Sequence, residues 1–231
     1  MSLPMCNDCG DVGFVRADDV EIGNPQFGKL IRCGCQAKND LSRLQRLSGL
    51  TNMERAVRLA DISAVSGTDT AFMVDAAKRF LKNPVGFLTI HGGAGNAKTA
   101  VMHGIINELV QGSVEAVYIT AFDLISYIRA AFDKQREIVD ATAYDRLKRL
   151  ERVRVLCLDE LDKVKWSDWV EEQITDLIDA RYRLGLDWEV GTVVAMNANP
   201  DTLPAWIYSR LRDGRNVVIE NRDADVRPGM E

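Results

Sequence analysis

No run of about 18 uncharged apolar residues occurs in the chain, and its N-terminus has no basic segment followed by an apolar one. Together these absences argue against a helical membrane span and a secretory signal. The expectation is a soluble, cytoplasmic protein with no membrane partner. An excess of positive charge is also missing, since the formal net charge is −5. That excludes a protein that coats nucleic acid with a global positive field, so any DNA contact must be local. Aromatic residues make up only 7% of the chain and form no base-stacking cluster of the kind dedicated single-strand binders carry. Beyond residue 35 there is a single cysteine, Cys157, in an apolar run that reads as a buried strand.

The other four cysteines, Cys6, Cys9, Cys33 and Cys35, lie in the first 35 of 231 residues. Such clustering suits a metal better than disulfides in a reducing compartment. Cys6 and Cys9 are a tight turn apart, and Cys33-Gly34-Cys35 forms a second pair. Short strands at Phe14-Val15-Arg16 and Lys29-Leu30-Ile31-Arg32, folded antiparallel, would bring the pairs together around one tetrahedral Zn²⁺. The head, residues 1–37, resembles a zinc ribbon. A module this small needs the metal for most of its folding energy. Its expected role is to dock a partner or DNA. Residues 38–60 read as a helical linker, with Leu41, Leu44 and Leu47 at helical spacing and Ser48-Gly49 as the stop. Arg43 and Arg46 on it fit either a DNA-facing rod or a solvated helix face. A second helix is expected over 70–82, with Asn83-Pro84 ending it.

Residues 61–231 read as one α/β domain built around the stretch from Gly86 to Thr99. A buried strand runs into Gly92-Gly93-Ala94-Gly95-Asn96-Ala97-Lys98-Thr99 and then into a helix carrying Val101, Ile105, Ile106 and Leu109. Apart from Ala97, which replaces the last glycine, this is the phosphate-binding pattern GxxxxGK[ST]. Backbone N–H groups of the loop would face the phosphates of ATP, Lys98 would add a point charge, and Thr99 would coordinate Mg²⁺. The substitution at Ala97 costs little if its φ is negative. His91 and His103 read as packing or surface residues.

Val153 to Leu158 is a buried strand that delivers Asp159 and Glu160. Asp159 would hold Mg²⁺, and Glu160 would polarise the attacking water as a general base. Gly191 to Met196 is a further strand, and Asn197 at its end is favoured over Asn199 as the amide that orients the water. The segment Leu203 to Gly214 reads as a short helix starting at a proline, from which Arg210 would reach a neighbouring copy's ATP. Between residues 121 and 152, Arg129, Lys134, Arg136, Arg146, Lys148, Arg149 and Arg152 alternate with Asp133, Glu137, Asp140, Asp145 and Glu151. Both a channel for single-stranded DNA and a helix face laced with ion pairs fit that pattern.

In motif order the chain resembles the AAA+ ATPases, and more narrowly the DnaC/DnaI-type helicase loaders and their IstB-type transposition-helper relatives. Some phosphate-loop ATPases, the MoxR relatives among them, resemble it in carrying Ala before the lysine. The resemblance implies a P-loop three-layer fold with a five-stranded parallel sheet in the order 5-1-4-3-2. Its strands would be Gly86 to Ile90, Val114 to Ile119, Val153 to Leu158, Gly191 to Met196 and Asn216 to Ile219. Only a short tail follows the last strand, so a helical lid is expected to be absent or reduced. What the resemblance implies for function is an oligomeric, Mg²⁺-dependent ATPase that loads a replicative DNA helicase onto single-stranded DNA. An IstB-like transposition helper is the second reading, and a zinc-dependent adaptor with an inactive nucleotide site the third.

Overall fold

The structure, a computed structural model, describes residues 6–16, 24–25, 27–132 and 141–225. Two short strands, β1 (Phe14–Arg16) and β2 (Leu30–Arg32), pair antiparallel in the head, with Phe14 opposite Arg32. Helix α1 (Gly34–Leu47) starts within the second cysteine pair, so Cys35 sits in its first turn. Ser48 and Gly49 then end it, and two single turns of 3-10 helix, Glu54–Ala56 and Leu59–Asp61, lead into the main domain.

There, α2 (Asp69–Lys82) precedes β3 (Gly86–Gly92), α3 (Lys98–Gln111), β4 (Ala116–Thr120), α4 (Ala121–Phe132) and α5 (Ala141–Arg152). After these come β5 (Val155–Asp159), α6 (Asp168–Leu186), β6 (Gly191–Met196), α7 (Ala205–Leu211) and β7 (Val217–Asn221). The five strands from β3 onward pair in parallel in the order β4-β5-β6-β3-β7. Counted within this sheet, that is the expected 5-1-4-3-2. Both faces are covered, as an all-parallel sheet requires. Leu88, Ile90, Val155, Cys157, Val193 and Ala195 pack with α2 and α3, whereas Phe87, Leu156, Leu158, Val194 and Met196 pack with α4, α6 and α7. Successive strand residues alternate between two cores, which makes three layers.

Two expected strands start two residues later than their apolar runs suggest. Val114 N–H closes the end of α3 on Leu109 O, and Val153 N–H closes the end of α5 on Arg149 O, so both valines serve helix ends before the strands begin. Among the described residues no helix follows β7, and none is long and apolar enough to cross a membrane. Of the charged residues expected along 121–152, Asp133, Lys134, Arg136, Glu137 and Asp140 lie outside the described residues. Lys148 pairs with Glu151, and Arg149 with Glu115.

Candidate nucleotide site and cysteine cluster

The loop after β3 folds where the sheet order branches, with β6 on one side of β3 and β7 on the other. Such a switch point at the carboxyl ends of parallel strands opens a crevice. Here it is a cleft of about 370 Å³ lined by Ala94 to Ala100, Asp159, Glu160, Asp162, Lys163, Met196 and Asn197. Because β6 lies between β3 and β5, its last residues bring Asn197 between the loop and the Asp159-Glu160 pair.

Lys98 is buried, and its Nζ donates to Gly92 O (2.8 Å), Gly93 O (2.6 Å) and Asn96 Oδ1 (2.8 Å). Opposite it, Thr99 Oγ1 donates to Asp159 Oδ2 at 2.8 Å, while Asp159 Oδ1 accepts the Glu160 N–H at 2.8 Å. A hydroxyl and a carboxylate this close at the mouth of a helix are hard oxygen ligands of the kind Mg²⁺ takes, so the donor set fits that ion. The glutamate pairs with Lys163, and its own backbone is left-handed, with φ 59°. Left-handed non-glycine residues are uncommon and cluster at functional sites.

Asn96 and Asn221, both buried, clamp the loop to β7 by exchanging bonds, Asn96 Nδ2 to Asn221 O at 2.7 Å and Asn221 Nδ2 to Asn96 O at 3.0 Å. Gly92 is required by the same approach, since a Cβ there would meet Asn221 O at 1.9 Å. Asp162 Oδ2 accepts the N–H groups of Asn197 (3.1 Å) and Ala198 (3.0 Å), fixing the end of β6. Asn199 turns away, and its Oδ1 caps the N–H of Asp201. Asn221, Asp162 and the Tyr118 hydroxyl, which donates to Asp159 Oδ2 at 3.0 Å, are site residues that sequence reasoning missed. Their alternating or turn positions carried no motif signal. Both histidines are buried side chains that desolvation keeps below their ordinary pKa.

One expectation is corrected. Ala97 has φ 66°, not a negative value, because the loop must reverse into α3 at this residue and its Cβ has to tolerate the left-handed region. Such a conformation costs an L-residue ~1–2 kcal/mol. Ala97→Gly removes that strain and adds ~0.4–1 kcal/mol of unfolded-chain entropy. The expected net gain is about 0.5–1 kcal/mol, read as a higher urea midpoint at unchanged slope.

Arg210 does not line the cleft. Its Nε lies 2.7 Å from Asp179 Oδ1 on α6, and its guanidinium sits over the rings of Tyr182 and Trp206 at 5.7 and 5.9 Å.

The profile of the family described as ATPase family associated with various cellular activities (AAA) matches residues 88–217, more than half of the chain. The chain belongs to the AAA family of ATPases. A search of curated protein sequences finds no match. Solved structures share the fold of this AAA ATPase. The crystal structure of DnaI superposes with a TM-score of 0.62 at 19% identity, over 80% of this chain and 100% of that one. The DnaC helicase loader gives a TM-score of 0.56 at 19% identity, over 74% of this chain and 100% of the other. A DNA replication initiation factor gives 0.59 at 16% identity over 72% of this chain, which spans only about half of that longer protein (49%).

In the head, the ligand atoms of Cys6, Cys9, Cys33 and Cys35 all lie within 4.8 Å of one another. Cys6 Sγ is 3.7 Å from Cys33 Sγ, and Cys9 Sγ is 3.4 Å from Cys35 Sγ. Tetrahedral zinc with Zn–S bonds of about 2.3 Å sets sulfur atoms about 3.8 Å apart, so the donor set and its spacing fit that ion. The Gly13 N–H also points at Cys9 Sγ, at 3.3 Å, as a thiolate would favour. Phe14, Leu30 and Ile31 on the two strands are exposed, which leaves little burial to hold the head without metal. Purified protein is expected to carry one zinc per chain by atomic emission. Cys9→Ser should lose it and open the head to protease while the AAA domain keeps its melting temperature.

Proposed function

We propose that this AAA ATPase is a DNA-replication accessory protein that delivers a replicative helicase onto single-stranded DNA and lets go of it when ATP is hydrolysed. Lys98 and the loop N–H groups hold the β- and γ-phosphates. Thr99 and Asp159 hold Mg²⁺, which when bound neutralises charge developing on the transferring phosphoryl group. Glu160 polarises the attacking water and Asn197 orients it. Arg210, on exchanging Asp179 for a neighbour's nucleotide, makes hydrolysis depend on self-assembly. The zinc head is the handle for the helicase. The observation that carries this reading is the joint one: an Asp-Glu strand end aligned with a phosphate loop, in a fold that spans the whole of the DnaI and DnaC helicase loader structures.

The test is co-elution of the full chain with the replicative helicase of the same cell in the presence of Mg–ATP, followed by unwinding of a substrate whose single strand is a closed circle. A stable complex that speeds unwinding is expected, with Cys9→Ser failing to form it. Binding to a transposase and not to the helicase would replace this reading with that of a transposition helper.

A further inference from the structure

The segment that leaves the cysteine head does not hang free of the nucleotide site. Where α1 ends, Ser48 O accepts the Tyr118 N–H of β4 at 2.8 Å, and Gly49 lies flat against the Tyr118 carbonyl. A Cβ on Gly49, whose φ is +80°, would stand 2.3 Å from that oxygen, so the contact is closer than any side chain allows. A few residues on, Glu54 lies 3.9 Å from His103 Nε2, and the His103 ring meets the Tyr118 ring edge to face with centroids 4.7 Å apart. Asn107 Nδ2 on α3 holds the same segment through the carbonyls of Glu54 (2.8 Å) and Val57 (2.9 Å). The strap that carries the head therefore grips the Tyr118 backbone directly, and reaches its ring through His103 of α3. Its hydroxyl meanwhile donates at 3.0 Å to Asp159 Oδ2, the oxygen that also accepts from Thr99.

We propose that Tyr118 is a positioning residue that orients Asp159 for Mg²⁺ and, through the Ser48-Gly49 strap, couples the metal–nucleotide site to the cysteine head. This rests on the reading of Asp159 as a metal ligand. Without the phenol, Oδ2 keeps only the Thr99 hydroxyl and Oδ1 the Glu160 N–H, so the carboxylate loses one of its three holds. Outer partners that orient a metal ligand are worth about 10–100-fold in metal affinity. The coupling runs both ways by thermodynamic necessity: whatever Mg–nucleotide does to the strap, a partner pulling on the head does in reverse to Mg–nucleotide.

The experiment uses the full chain, unmodified and as Tyr118→Phe, which keeps the ring against His103 and removes only the hydroxyl. Two quantities are read. One is the Mg²⁺ concentration for half-maximal ATP turnover, expected to rise about tenfold in the variant, with KM for ATP at saturating Mg²⁺ moving less than twofold. The other is amide hydrogen exchange of Leu50 and Tyr118 with a non-hydrolysable ATP analogue and Mg²⁺. Exchange should change on binding in the unmodified chain and not in Tyr118→Phe. Gly49→Ala attacks the same link from the strap side and should also raise the Mg²⁺ requirement, so the proposal stays exposed if Tyr118→Phe folds poorly. An unshifted Mg²⁺ requirement, or an exchange response that survives in Tyr118→Phe, overturns the coupling alone. Absence of Mg²⁺-dependent turnover in the unmodified chain overturns the ATPase reading along with it.

Discussion

Glu160→Gln is expected to bind ATP as well as the unmodified chain and to hydrolyse it about 10²–10⁴-fold more slowly, the usual worth of a positioned general base. The chemistry dictates the split. Glutamine keeps the shape and hydrogen-bonding reach of the side chain but cannot take up a proton from water, so binding contacts persist while activation of the attacking water is lost. Geometry adds a second reason for a large effect. Asp159, at the end of β5, is held by Thr99, Tyr118 and the Glu160 N–H, whereas Glu160 turns out of the strand into a left-handed conformation and faces the cleft. The two neighbouring carboxylates are thereby sent in different directions, one toward the phosphate loop and one toward open solvent where a water molecule can stand. A nucleotide-binding titration beside steady-state turnover separates the two effects. Equal loss of binding and turnover would mean that Glu160 acts through the architecture of the site and not on water.

Arg181→Met is expected to destabilise the whole AAA domain by ~3–5 kcal/mol, with a matching fall in the urea midpoint. Arg181 is fully buried in α6. It donates from Nη1 to the carbonyls of Leu150 (2.7 Å), Glu151 (3.1 Å) and Val153 (3.1 Å), from Nη2 to Gly191 O (2.5 Å), and from Nε to Thr192 Oγ1 (2.8 Å). One guanidinium thus closes the C-terminal end of α5, where the helix dipole favours a cation, and ties it to the start of β6. Burial pulls its pKa down to about 9, which still leaves it charged at neutral pH. Methionine fills comparable volume but strands several buried carbonyls, each costing ~1–3 kcal/mol when left without a donor. Nucleotide affinity per folded molecule should be unchanged, because none of these atoms lines the cleft.

These two residues mark the reach and the limit of the sequence. The place of Glu160 was readable because it depends on neighbours in the chain: an apolar run, an aspartate, then a glutamate. The phosphate loop was readable for the same reason, and so was the strand order, once the order of the motifs had suggested the family. Arg181 was not, since an arginine in an amphipathic helix reads as solvated, and its acceptors lie up to 31 positions away in sequence. Tyr118 and Asn221 were hidden in the same way, their partners being 41 and 125 residues distant. Ala97 shows a third limit. Residue identity alone did not reveal the sign of φ, and the tight entry into α3 imposed the left-handed value that alanine resists. The cysteine cluster was legible as a set of four, while its closeness depended on the antiparallel pairing of β1 and β2.

The most direct test of the central claim is steady-state ATP hydrolysis by the full chain with Mg²⁺, beside Lys98→Ala. Buried among loop carbonyls with its ammonium at the mouth of α3, Lys98 both shapes the loop and supplies charge to it. Removing a preorganised charge from such a site costs on the order of 10²–10³-fold in turnover. The account expects Mg²⁺-dependent release of phosphate by the unmodified chain, raised by single-stranded DNA, and a fall of that size in Lys98→Ala. No hydrolysis by the unmodified chain, or equal rates in the two proteins, would contradict it.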